Sequence, residues 1–304
     1  MACFRQQLSI HIGEGAQEAL NDQHMTNETA RHVEKGYPKE EEQTQPPRLG
    51  LALGGGAARG IAHVGVLQVL WENEIPIKAI AGTSAGAMAG AIVAAGHTPD
   101  DLAEIARTSN WWFLAKDVSL RAGLLRSAGI ERWLRRHTQG KTFRDLEVPL
   151  AVVTSDLISG ETVVFTSGDV AWAARVSATV PGIYAPVEYR GRLLVDGGLT
   201  QNVPVTTALA MDVDVILAVS LNGSFLDSGP PERPAEAIQQ AISILQRAHV
   251  KEQISQAHLT ITPNLEGLGL TDFRAVDEFI QLGREAMERA LPDLQSILQK
   301  GTKE

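Results

Sequence analysis

The sequence predicts an α/β fold, a mostly parallel sheet covered by helices, and three observations carry that expectation. An apolar strand at 48–53 runs through a glycine-rich loop into an amphipathic helix and on to a second apolar strand at 77–81, a βαβ crossover. Another strand-to-helix junction, Gly82-Thr83-Ser84-Ala85-Gly86, follows at once and opens an alanine-rich helix. Beyond residue 148 short apolar runs go on alternating with helical patterns.

Residues 1–47 are polar, with acidic stretches and a closing Gln-Pro-Pro, and carry few large apolar side chains to offset the entropy of ordering them. They are expected to form a disordered extension, in which Met25 is a candidate internal start. Order is expected from residue 48 onward, where the helix after the glycine loop buries Ile61, Val64, Leu67 and Val69 or Leu70 by spacing. After the alanine-rich helix, residues 100–140 read as a helical insertion over the sheet. Strands follow at 148–154 and 161–166, then a helix stopped by Pro181-Gly182, a hairpin at 188–198, and a short helix with proline near its start. A buried strand at 213–221, a helix at 234–251, a strand at 258–262 and a helix from 272 complete the chain. The motif-bearing core is thus 48–220 and the mainly helical part 221–304, within one domain spanning 48–304.

Composition narrows the function classes. With 44% hydrophobic and 21% charged residues in 304, the chain has the makeup of a globular protein. A net charge of −9 and a pI near 5.4 argue against nucleic acid as a partner, and no polybasic run points to electrostatic docking on anionic lipid. Membrane contact would have to be apolar and transient. Cys3 is the one cysteine, which fits a reducing compartment. Neither a secretory signal nor an apolar run of roughly 18 residues is found. A soluble cytoplasmic protein, at most peripheral at the inner membrane surface, is expected, with no metal and no organic cofactor.

The pentapeptide around Ser84 has the GxSxG form of a nucleophile elbow. Such a turn needs small residues at Gly82 and Gly86, because a β-carbon there would meet neighbouring backbone. Upstream, Gly54-Gly55-Gly56-Ala57-Ala58-Arg59-Gly60 ends a strand and opens a helix, as a phosphate cradle or an oxyanion hole would, or as a tight turn does. Dinucleotide and P-loop fingerprints fit poorly, since Gly60 is followed by Ile61 and no acidic residue stands at the right strand end. The oxyanion reading places the N–H groups of Gly55, Gly56 and Ala57, with Arg59, toward the charge that develops on an ester oxygen.

A serine nucleophile needs a base. His11, His24 and His32 fall in the polar extension, His63 and His137 in helical patterns, and His97 and His249 in poor positions; His258 alone is kept as a histidine candidate. Asp196, in Leu194-Val195-Asp196-Gly197-Gly198, ends an apolar strand before two glycines and is the stronger candidate, although an ordinary Asp-Gly turn has the same look. Held in a partly desolvated site against a hydroxyl, an aspartate becomes a better base.

The three motifs in order, GGGAARG, GTSAG and DGG, together with Ser155-Asp156 to Glu161 and the segment VSATVPGIYAPV, resemble the patatin-like phospholipases, bacterial relatives of neuropathy target esterase, over about 49–210. The resemblance implies a three-layer patatin-like fold and a serine–aspartate dyad, Ser84 as nucleophile and Asp196 as base, with the glycine loop and Arg59 forming the oxyanion hole. It implies a serine esterase or lipid acyl hydrolase that works through an acyl-enzyme on lipid or lipid-like esters. One position departs from the common GGGGARG pattern: Ala57 stands where glycine is frequent, which suits the hole if its φ is negative. Asp156 and Glu161 are assigned to loop structure. Trp111, Trp112, Phe113 and Leu114 are candidates for an acyl pocket or lid, or for core packing. Two rival readings are a non-hydrolytic lipid sensor on the same fold and a thioesterase or acyltransferase that depends on His258.

Overall fold

A computed structural model describes residues 9–10, 46–109, 111, 125–221 and 234–300. Among the described residues the chain folds around a nine-stranded mixed sheet flanked by helices. The βαβ unit expected from the sequence is present: β2 (Leu49–Leu53), a 3-10 turn at Ala57–Ile61, α1 (Ala62–Glu72) and β3 (Ile77–Thr83), with β2 and β3 parallel neighbours. Next come α2 (Ala85–Ala94), α3 (Pro99–Thr108) and α4 (Ala128–His137). After them run β4 (Leu150–Asp156), β5 (Thr162–Phe165), α5 (Val170–Ser177), β6 (Val187–Tyr189), β7 (Arg192–Asp196), α6 (Val205–Leu209) and β8 (Val215–Val219). The chain closes with α7 (Pro234–Ile254), β9 (Leu259–Ile261) and α8 (Val276–Lys300).

Ser9–Ile10, here β1, pairs parallel with β5. It is one described element within the stretch expected to be disordered; the rest of 1–45 lies outside the described residues.

Short connections explain why the sheet is mixed. β5 follows β4 after a tight turn and β6 joins β7 through Arg190 and Gly191, both at positive φ (48° and 78°), so these pairs are antiparallel. The main strand order is β1-β5-β4-β3-β2-β8-β9. Side chains alternate across it: Leu49, Leu51 and Leu53 of β2 join a large apolar cluster with α1, α2, α5 and α8, whereas Ala52 faces a thinner one with Val205 and Ala208 of α6 and Val250 of α7.

The C-terminal helix belongs to that thicker layer. A β-carbon on Gly65 of α1 would stand 2.0 Å from the Ile280 carbonyl oxygen of α8, and one on Gly283 would stand 2.0 Å from that of Ala62. The two helices cross in near backbone contact, so α1 is buried almost all round, Val69 and Leu70 both included. Among the described residues, no helix is long and apolar enough to cross a membrane.

Candidate active site

The register of β4 brings the site together. Its residues Leu150 to Val153 pair parallel with β3, ending at Thr83 opposite Val153. One residue further on, Thr154 pairs with Asp196 of β7, which runs antiparallel. Because β5 occupies the other edge of β4, β3 and β7 lie on the same edge and meet end to end. Ser84, just past β3, and Asp196, last in β7, therefore face each other across a strand junction.

The Ser84 hydroxyl lies near enough to the Asp196 carboxylate to favour its charged form. Both residues are nearly buried, at 8% and 6% exposed. Burial pushes the Asp196 pKa up to about 6, against the opposing pull of the Ser84 hydroxyl and of the hydrogen bond from the Gly198 N–H, which lies 2.7 Å from Oδ1. The Asp196 N–H is held in turn by the Thr179 carbonyl at 2.9 Å.

The elbow is strained and closely packed. Ser84 sits at φ 52° and ψ −117°, outside the regions an L-residue ordinarily adopts. A β-carbon on Gly82 would fall 2.6 Å from Ala87 Cα and one on Gly86 2.1 Å from the Leu53 carbonyl oxygen, so the small residues are required for the reason the pattern suggests. The Ser84 N–H leaves the ladder and donates to Ser177 Oγ at 2.8 Å.

The glycine loop lies against the serine: a β-carbon on Gly55 would stand 3.3 Å from Ser84 Cβ. The N–H groups of Gly54 and Gly55 are taken by the carbonyls of Val219 and Asn202, each at 3.0 Å. Gly55 thus anchors the loop, while among the described residues no acceptor is paired with the N–H of Gly56 or Ala57. Ala57 has φ 49°, not the negative value that an alanine there would favour; the N–H is kept and the backbone takes the left-handed conformation. Arg59 is buried, its Nε donating to the Leu268 carbonyl at 2.8 Å, so its guanidinium braces the loop ahead of α8. Gly60 serves close packing, since its β-carbon would stand 2.3 Å from Ala85 Cβ.

His63 supports the same loop from α1. It is fully buried, its Nε2 lies 2.8 Å from the Gly54 carbonyl, and burial lowers its pKa to about 4. The ring is therefore neutral near pH 7 and donates from Nε2. His258 lies elsewhere: its Nδ1 accepts the N–H of Ile216 at 3.0 Å, at the start of β8, whereas the glycine loop meets the end of that strand. His97, bonded to the His137 carbonyl at 2.7 Å, is past the far end of α2.

Asp156 and Glu161 tie the β4–β5 turn to β7 through Arg192, at 3.2 and 2.7 Å. Trp111 stacks on Phe273 with centroids 4.9 Å apart and tilts against Trp133 at 5.9 Å. Trp112, Phe113 and Leu114 lie outside the described residues. Among the described residues no group of three or more His, Cys, Asp or Glu side chains is placed to hold a metal ion.

Sequence reasoning passed over Ser177, Thr179 and Asn202 as individual residues. The first two stand at the end of an apolar helix just before Pro181-Gly182, inside the segment VSATVPGIYAPV that shares in the family resemblance, but nothing in that segment marks either as a support of the pair. Asn202 lies in a loop that carries no motif, although its carbonyl ties the glycine loop to the segment that follows Asp196.

Fold and pair together define a class: α/β proteins with a serine at a strand-to-helix elbow, beside an aspartate from a neighbouring strand end. The patatin-like phospholipase family description matches residues 51–209, more than half of the chain. The chain belongs to that family. It is 40% identical over 187 residues to an uncharacterized NTE family protein of Mycobacterium tuberculosis, covering 60% of this chain and 51% of that one. Lysophospholipase NTE1 of Mycosarcoma maydis is 34% identical over 192 residues, 60% of this chain but 10% of its own length. Among solved structures, VipD from Legionella pneumophila shares the fold with a TM-score of 0.50 at 16% identity, over 82% of this chain and 68% of that one. The chain spans about half the length of the NTE family proteins it matches.

Proposed function

We propose that this protein hydrolyses carboxylic esters of lipids, with Ser84 as nucleophile and Asp196 as general base. The observation that carries the reading is the placement of an elbow serine, Ser84, across a strand junction from the buried Asp196 carboxylate, whose pKa is pushed up to about 6. A carboxylate of that pKa is charged near pH 7 and accepts a proton more readily than an exposed aspartate.

Asp196 takes the hydroxyl proton as Ser84 Oγ attacks the ester carbonyl. The negative charge that appears on the carbonyl oxygen is met by the N–H groups of Gly56 and Ala57, the two in the loop without an acceptor among the described residues. Asp196 then gives its proton to the departing alcohol, leaving the acyl group on Ser84. Water enters, Asp196 takes one of its protons, and the hydroxide attacks the acyl carbonyl. The fatty acid leaves as the proton returns to Ser84, so serine and carboxylate end as they began.

Family membership and the lysophospholipase relative support a lipid as the acyl donor. Leu157 and Ile158 directly after β4, and Leu199 three residues after Asp196, are exposed apolar side chains on the rim that carries Ser84, which suits transient contact with a lipid surface at the cytoplasmic face of the membrane. The His258-dependent alternative has no support in the position of that ring. The test is turnover of a lysophospholipid or short-chain ester by the Ser84→Ala protein. A fall of at least about 1,000-fold is expected; undiminished turnover would refute the reading, and an unsubstituted protein without turnover or probe labelling would favour the lipid sensor.

A further inference from the structure

Both members of the pair are gripped from one short segment at the carboxyl end of α5. Ser177 Oγ accepts the Ser84 N–H at 2.8 Å and donates to the Val153 carbonyl at 2.5 Å. Two residues on, the Thr179 carbonyl accepts the Asp196 N–H at 2.9 Å. Val153 is the β4 residue paired with Thr83, and Thr154, the next, is paired with Asp196. The segment therefore spans the same strand junction as the pair itself.

We propose that Ser177 is a positioning residue for the nucleophile: its hydroxyl fixes the strained Ser84 backbone, and with it the alignment of Ser84 Oγ on Asp196. The inference rests on the reading of Ser84 as nucleophile. Its physical basis is that a residue at φ 52° and ψ −117° persists only where its surroundings over-determine it. The close-packed glycines restrain the elbow from the helix side, but they make no hydrogen bond to the Ser84 N–H. The β3–β4 ladder has ended at Thr83, and the N–H, buried at the start of α2, needs an acceptor.

Ser177 supplies it with a fixed polarity. Because its own proton goes to Val153, a lone pair is left facing Ser84, and the serine backbone is tied through one side chain to β4, the strand that pairs with Asp196 of β7. Ser177 is fully buried. The segment has its own anchor: Thr179 Oγ1 bonds the Arg175 carbonyl at 3.0 Å and Ser127 Oγ at 3.1 Å, and Arg175 pairs with Glu131 of α4 at 3.2 Å. The strut is thus braced by a neighbouring helix.

The experiment compares the full chain with its Ser177→Ala and Ser177→Thr variants, using labelling by a fluorophosphonate probe followed by intact mass, ester turnover, and thermal melting. Labelling of the unsubstituted chain at Ser84 is expected. In Ser177→Ala the labelling rate and kcat should fall together, roughly 10- to 100-fold, as expected of a misaligned nucleophile. KM should stay within about twofold, since the lost interaction aligns the reacting atoms without contacting substrate. Ser177→Thr keeps the hydroxyl and should recover most of the rate. A folded Ser177→Ala protein that labels and turns over at the unsubstituted rate, whatever its melting temperature, overturns the proposal and leaves Ser177 a structural hydrogen bond. Equal slowing in Ser177→Thr also overturns it, because the hydroxyl would not then carry the effect. If Ser177→Ala does not fold, Ser177→Cys, close in size with a weaker acceptor, takes its place under the same criteria. An unsubstituted chain that takes no probe overturns the functional reading, and this inference with it.

Discussion

The Asp196 carboxylate is buried against the end of β7, and its chemistry follows from how few groups compensate that burial. Its pKa of about 6 means that the base form is lost on acidification, so kcat/KM should be level at neutral pH, half-maximal near pH 6 and falling below it. A pH–rate profile for a neutral ester checks this, and a profile level down to pH 4 would contradict it. The same burial makes the charge a burden on the fold. Relative to its ordinary value of 3.8, the raised pKa corresponds to destabilisation on the order of 3 kcal/mol at pH 7.5. Asp196→Asn should therefore unfold at higher denaturant at pH 7.5 while losing turnover. Ala57 is a second strained position, at φ 49°. Ala57→Gly removes the β-carbon penalty but adds unfolded-chain entropy, and the balance favours the variant by about 0.5–1 kcal/mol in urea unfolding; destabilisation by Ala57→Gly would show that the left-handed conformation costs less than argued.

At the scale of elements, β4 is the template on which the site is assembled, and α8 is the helix that holds the glycine-loop helix in place. The elbow and the glycine loop were legible in the sequence because each combines a strand end, a helix start and glycines at positions where a β-carbon meets backbone. Strand positions were legible too, within a few residues, from runs such as Leu150 to Val153. The meeting of β3 and β7 end to end was not, because it depends on the register of two strands on one edge of a third, and side-chain periodicity reports faces and not neighbours. Nor was the use of Gly65 and Gly283: a glycine inside a helical pattern reads as a weak point, and its value appears only when another helix crosses over it. Gly65→Ala should cost about 3 kcal/mol in urea unfolding, since the added carbon would overlap the α8 backbone. A cost under about 0.5 kcal/mol would mean that α8 can shift without penalty.

For the whole molecule, two buried groups set opposite trends with pH. His63 has a folded pKa near 4 against 6.5 unfolded, so between these values the unfolded chain binds the extra proton and stability falls as pH falls. Asp196, near 6 folded against 3.8 unfolded, binds the extra proton in the folded state over almost the same window, so its contribution rises as pH falls. The two largely cancel between pH 6 and 4. Asp196→Asn removes one side of that balance, and its stability should fall with acidification by up to about 1.4 kcal/mol per pH unit more than the unsubstituted protein's; parallel curves for the two would contradict the account of these groups. The sequence carried the family, the α/β architecture in outline and the candidate pair, whereas the supports of that pair, Ser177, Thr179, Asn202 and the neutral His63, are ordinary polar residues until the fold shows what they touch. The claim at the centre is that Ser84 is a nucleophile activated by Asp196, and site-mapped mass spectrometry after fluorophosphonate treatment tests it most directly. One adduct on Ser84 in the unsubstituted protein, none in Ser84→Ala and a labelling rate at least about 100-fold lower in Asp196→Asn are the predicted results; an adduct on another residue, or undiminished labelling of Asp196→Asn, would contradict it.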